Sequence, residues 1–307
     1  MQPLLRTSGT KRKVSSPPIV RPLQMSQHSL GAEYACSLIA CLWCHALLYS
    51  NGSNMRKEPR IGDNFLLNWL QIGVFLYKSD AFSAFRRAFT SAHKAFTSLE
   101  VIRDSMEIAS EQNGLCTDDP AVLDRFLSIA SKRSGKVEGT PKGTYVTLPE
   151  GIQQLFRAAR QRHDHRVACM ITTGTGSSSC LYVGLVDQEV NEWDIYFADP
   201  HWNDPSTAES VMRLDRDACR RIKASAVWLK FDSEASLVEF LLKRYGADRT
   251  PSKPADSYTP ASSFQITIFV KVPNWDRGLT EDKVLMTGFE KWREDIKRNG
   301  LFAPSNI

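Results

Sequence analysis

The chain has 307 residues, 42% of them hydrophobic and 24% charged, enough to bury a real core as one large domain or two modest ones. Its net charge of +5 is matched by the cations of residues 1–25 (Arg6, Lys11, Arg12, Lys13 and Arg21, with no acid), so the remainder is near neutral and lacks the basic body of a nucleic-acid binder. No apolar run approaches the roughly 18 residues that would cross a bilayer, and no leader-like apolar stretch opens the chain, so neither a membrane partner nor secretion is expected.

Residues 1–25 mix Ser, Thr, Pro and basic residues without a hydrophobic period, which predicts a disordered basic tail. Lys11-Arg12-Lys13 could serve as a nuclear address, although such tripeptides are more often solvated tail. A folded domain is expected over 26–275, and a C-terminal helix and tail over 276–307. From Cys36 to Tyr49, Ile39, Ala40, Trp43 and Leu47 recur at helical spacing, which predicts a central, mostly buried helix with Cys36 in its first turn. Asp63 reads as the N-cap of a second helix carrying Leu66, Trp69, Leu70, Val74 and Tyr77. A third follows over Phe82–Leu99, and Asp118-Asp119-Pro120 opens another. A loop through Gly139, Pro141 and Gly143 leads to a short helix at about Pro149–Arg160.

Short apolar runs then predict strands at Val167–Ile171, Leu181–Val186, Trp193–Ala198 and Ala226–Phe231. A capped helix over Ser233–Tyr245, a Pro/Ser/Asp loop over Asp248–Ser263 and an alternating strand from Phe264 to Val272 come next. A polar helix over Thr280–Lys297 ends the series. Helices fill the first half and strands the second, without βαβ alternation. The fold class is therefore α+β, with a helical lobe packed against a mostly antiparallel sheet.

Seven cysteines without framework spacing point to free thiols in a reducing, intracellular compartment, cytoplasmic or nuclear. Cys36 is the one placed in a helix first turn, where unpaired N–H groups and the helix dipole lower a thiol pKa. The strand Trp193–Ala198 delivers Asp199-Pro200-His201 at its end. Residues i and i+2 of an extended segment lie on one side, roughly 6.5–7 Å apart, so a carboxylate can stand beside an imidazole. Thiolate, imidazole and carboxylate are the parts of a cysteine hydrolase.

A helix-start cysteine, two later apolar strands and Asp-Pro-His closing the second resemble the papain-like cysteine deubiquitinases of the herpesvirus large tegument proteins. The Asp-Pro-His feature is shared with the autophagy and ubiquitin-fold-modifier cysteine proteases. Gln27–Tyr49 resembles the tegument type's Gln-led approach to its cysteine helix, Asn64–Tyr77 its Leu-rich second helix, and Val227–Leu242 its strand, Phe-x-Ser and helix. Ala35 stands where those relatives tend to carry a polar residue. The resemblance implies a papain-like fold and a thiol protease with Cys36 as nucleophile, His201 as base and Asp199 as the orienting acid. It further implies Gln27 (with Gln24 in reserve) as side-chain oxyanion donor, ubiquitin or ubiquitin-like conjugates as partners, and no metal or organic cofactor. The alternatives are a non-catalytic binding module for ubiquitin or another partner protein on the same fold, or an acyltransferase effector with the same thiol chemistry.

Other patterns read as structure. Cys41-Leu42-Trp43-Cys44-His45 has the spacing of covalent haem attachment, but a packed helix suits it better. His163-Asp164-His165 reads as a turn, and Thr173-Gly-Thr-Gly-Ser177 as a hairpin connection that lacks the Lys of a phosphate loop.

Overall fold

A computed structural model describes residues 18–32, 34–78, 148–173, 177–201, 225–245, 264–269 and 283–298. Among these residues the strands are β1 (Ile19–Pro22), β2 (Arg166–Thr173), β3 (Ser178–Asp187), β4 (Glu192–Asp199), β5 (Val227–Phe231) and β6 (Phe264–Phe269). The helices are α1 (Cys36–Tyr49), the short α2 (Ser53–Arg56), α3 (Pro59–Lys78), α4 (Leu148–Gln161), α5 (Glu234–Tyr245) and α6 (Lys283–Arg298). The strands form one open sheet in the order β1-β5-β4-β3-β2-β6, each neighbouring pair antiparallel. The class is α+β. The helices expected at Phe82–Leu99 and Asp118–Phe126, the loops through Gly139 and over Asp248–Ser263, and the first 17 residues lie outside the described residues.

Strand alternation sorts the side chains onto two faces. Ala168, Met170, Cys180, Tyr182, Tyr196, Ala198 and Trp228 meet α1 and α3 in one core, while Val167, Ile171, Leu181, Ile195, Phe197 and Leu229 meet α4 and α5 in the other. The expected single helical lobe is thus corrected: described helices cover both sides. Burial on both faces is also why β2 to β5 read as near-continuous apolar runs instead of polar alternation. α1 is buried from Cys36 through Leu48, as a helix apolar on all sides must be. α6 joins the α1–α3 core through Phe289, whose ring lies 5.9 Å from that of Phe75 on α3.

Two expectations change. Residues 18–25, assigned to the tail, instead pair with β5 and its approach: Ile19 to Pro22 stand opposite Lys230 to Val227, and Leu23 N–H donates to Ala226 O at 2.8 Å. Pro22 and Arg21 hid this strand, since proline is tolerated only on edges, and this strand lies at an edge. Asp63 is not an N-cap. The helix starts one turn earlier, with Pro59 at its first position, where the missing N–H costs nothing. Asp63 instead binds the Arg21 guanidinium, Oδ2 to Nη2 at 2.5 Å, and accepts from Trp228 Nε1 at 2.9 Å. One carboxylate therefore ties β1 and β5 to α3.

Gly73 is where α3 crosses α1. A Cβ there would stand 2.7 Å from Ile39 Cγ1 and 3.2 Å from Leu42 Cδ1. Alanine favours a helix by about 1 kcal/mol, but overpacking a filled core costs about 1–3 kcal/mol. Gly73→Ala is expected to lose about 1 kcal/mol in urea unfolding; equal or greater stability would mean that the two helices can separate freely.

His45 lies deep in α1, its ring 5.9 Å from Trp69, and burial pushes its pKa down to about 3. The native imidazole stays neutral while the unfolded one gains a proton below its ordinary 6.5, so stability falls as pH drops from about 6.5 to 3. At 1.36 kcal/mol per pH unit the loss amounts to at most about 5 kcal/mol. Urea midpoints measured at pH 7 and pH 4.5 should therefore differ less in His45→Phe than in the wild type. Identical pH dependence in both proteins would show that His45 is protonated in the folded state.

Candidate active site

The site is assembled where α1 begins and β4 ends. Cys36 is the first residue of α1, preceded by Ala35, which makes no side-chain cap. Its thiol is buried, which by itself raises a thiol pKa, yet the net direction is downward. The attraction of His201 and a hydrogen bond from its ring outweigh the burial, helped by the Ser178 backbone and the Ser37 hydroxyl. Residues 165 positions apart in sequence are therefore in contact, a thiol against an imidazole.

His201 is held at both its backbone and its ring. Its N–H donates to Asp199 Oδ1 at 2.9 Å, and ring Nδ1 lies 2.7 Å from the same oxygen. With Nδ1 engaged there, Nε2 is the nitrogen left to serve the thiol. Asp199 is the last residue of β4 and is 0% exposed, so its charge has to be met by protein groups. Its second oxygen, Oδ2, accepts from Arg244 in the last turn of α5. The Ser177 hydroxyl lies 3.3 Å from both ring nitrogens of His201, and the His28 ring lies 6.0 Å away, centre to centre.

The chain entering α1 is latched to the same corner. The Gln27 N–H donates to Pro200 O at 3.2 Å, and Gln27 O accepts from Ala32 N–H at 2.9 Å. Gln27 is 0% exposed, whereas Gln24 is exposed and takes a left-handed backbone with φ 66°. Gln27 is thus the glutamine fixed beside the Asp199–His201 turn. Below Cys36, Ser37 Oγ lies 2.9 Å from Ser178 Oγ, which lies 3.0 Å from Thr172 Oγ1. These buried hydroxyls join α1 to β3 and β2 and satisfy one another in an otherwise apolar face.

The structure brings Cys36, His201 and Asp199 together and sets Gln27 next to them. Sequence reasoning missed Arg244, Ser37, Ser178, Ser177 and His28. A basic residue in a helix's last turn, as Arg244 is, is too common to mark a site, and the hydroxyls carry no spacing signal. The rival patterns take structural places. Cys44 Sγ is 3.5 Å from Cys180 Sγ inside the core, and burial pushes the Cys41 thiol up to about 12. His163–His165 forms a turn in which Asp164 accepts from Arg162 at 3.2 Å, and Arg166 donates to the Asp164 carbonyl at 2.9 Å. Among the described residues no group of three or more His, Cys, Asp or Glu side chains could hold a metal, and no helix is long and apolar enough to cross a membrane.

No family model, curated protein or solved structure matches this chain.

Alkylation of Cys36 by iodoacetamide, followed by mass spectrometry from about pH 5 to 10, should show a midpoint below that of an ordinary thiol near 8.5. In His201→Ala the depressing partner is gone and the burial remains, so the midpoint should climb above the ordinary value. A midpoint indifferent to that substitution would separate the two residues chemically.

Proposed function

We propose that the chain is a thiol hydrolase of papain-like fold that cleaves after the C-terminus of ubiquitin or a ubiquitin-like modifier. The observation that carries this reading is the contact of Cys36 with His201, whose ring Asp199 holds at 2.7 Å. A lowered thiol pKa at a helix start, an imidazole in reach and a buried carboxylate behind it are what nucleophilic acyl transfer needs. The buried α1 lying on an antiparallel sheet is consistent with the papain-like assignment. The choice of modifier rests on the resemblance of Gln27–Tyr49, Asn64–Tyr77 and the Asp-Pro-His corner to the tegument deubiquitinases.

In this mechanism His201 takes the Cys36 proton, and the thiolate attacks the carbonyl carbon of the modifier's terminal residue. The tetrahedral oxyanion receives hydrogen bonds from the Cys36 backbone N–H and the Gln27 side chain. The C–N bond breaks, the imidazolium gives its proton to the departing amine, and a thioester remains. Water, deprotonated by His201, then attacks the thioester, and the thiolate leaves and recovers the imidazolium pair. Asp199 keeps Nδ1 protonated throughout, so the other ring nitrogen exchanges the proton. No redox step or cofactor enters.

Ubiquitin bearing a C-terminal electrophile should give a one-to-one covalent adduct with the protein. The adduct should be lost in Cys36→Ala, and its rate should fall about 10²–10⁴-fold in His201→Ala. Tight binding without an adduct would make the chain a binding module. An adduct that survives Cys36→Ala would place the nucleophile elsewhere.

A further inference from the structure

We propose that Arg244 is a positioning residue of this site, which fixes the Asp199 carboxylate from the far side of the sheet and tempers its hold on the imidazolium. The inference rests on the thiol-hydrolase reading above and adds to it a residue outside the Cys36–His201–Asp199 set.

Asp199 shares its strand parity with Ile195 and Phe197, whose side chains join the core under α4 and α5. Its carboxylate is therefore rooted on the α5 side of the sheet, whereas Cys36 begins the helix that covers the opposite side. The two carboxylate oxygens divide the work: Oδ1 faces the ring and N–H of His201, and Oδ2 faces Arg244. The Arg244 side chain is only 12% exposed, against 0% for Asp199. A guanidinium buried to that degree against a buried carboxylate is a fixed part, in contrast to an exposed surface pair. A last-turn cation would ordinarily turn to its own helix carbonyls; this one crosses to another element.

The charge arrangement follows from that contact. Among the described residues the titratable and charged groups gathered at His201 are Asp199 from β4, Cys36 from α1, His28 from the β1–α1 connection, and Arg244 from α5 acting through Asp199. A buried carboxylate with no counter-charge would grip the imidazolium proton tightly, which makes a poor acid for the leaving amine. Arg244 removes part of that grip and, by holding Oδ2, keeps Oδ1 turned to the His201 ring.

The test compares pH profiles. In Arg244→Gln, which keeps a donor and removes the charge, the alkaline limb of kcat/KM should move up by about half to one pH unit, and kcat should fall about tenfold. Arg244→Lys should leave the limb in place while the rate falls, because a point charge lacks the planar fork. On an Asp199→Asn background neither substitution should change the rate further. If Arg244→Gln does not fold, this coupling is read from Arg244→Lys alone. An alkaline limb unmoved in Arg244→Gln, or losses in either variant that are equal with and without Asp199, would overturn the inference. The upper inflection of Cys36 alkylation by iodoacetamide reports the same imidazolium without any modifier. A shifted inflection in a protein that ignores ubiquitin substrates would refute the substrate reading and leave Arg244 in its role. An alkylation profile with no imidazolium inflection in the wild type would overturn both.

Discussion

The structure depends on enclosing a helix that has no polar face. α1 is buried from Cys36 through Leu48, and fully burying each large apolar side chain stabilises the fold by about 1.5–3 kcal/mol. Such a helix cannot lie on a surface; it needs a floor and a roof. The floor is the sheet face where Cys180 pairs with Ala198 and Ala168 lies nearby, small side chains that admit a helix closely. The roof is α3, which comes near enough that Gly73 leaves no room for a Cβ beside Ile39. Closed in this way, α1 cannot slide or roll, and the position of its first residue is set by packing.

The remaining task is to bring the end of β4 to that fixed point. Two connections do so. From below, β4 runs through the sheet centre between β3 and β5, so Asp199 has neighbours on each side, Cys180 and Ala198 pairing one residue before it and Val227 opposite it. From above, the chain leaves β1, is tied by Ala226 N–H to Met25 O at 2.6 Å, and then bonds Gln27 to Pro200. The approach to the thiol and the turn that carries the imidazole are stitched to one another by backbone bonds, which do not depend on side-chain rotamers. Arg21 and Asp63 anchor that approach at its origin.

Much of this was legible in the residues, for identifiable reasons. β2 to β5 stand within three residues of the expected runs because turn-forming segments bound each apolar stretch. The meeting of Cys36 with His201 was suggested by Asp199-Pro200-His201 at a strand end. What could not be read was whatever depends on a distant partner. β1 is only Ile19–Pro22, and its identity as a strand comes from Val227–Lys230 offering an open edge. Asp63 resembled a cap because short polar residues before apolar runs usually are, yet its carboxylate answers Arg21 and Trp228. Arg244 had the sequence signature of a helix end. The pairing of helices with both sheet faces was hidden for the same reason, since an apolar run does not say which element covers it.

The core that encloses α1 also sorts the chain's sulfur chemistry. Cys41, Cys44 and Cys169 sit in the same apolar interior as Cys180, and burial holds the first three protonated far above the range in which a thiol ionises near neutrality. Cys36 is equally buried but lies at the polar end of its helix, where an imidazole offsets the desolvation. Among the described cysteines, Cys41, Cys44 and Cys169 are thus silent where Cys36 is reactive. Selectivity toward electrophiles is written into solvation: of these four enclosed thiols, an attacking reagent meets one as a nucleophile.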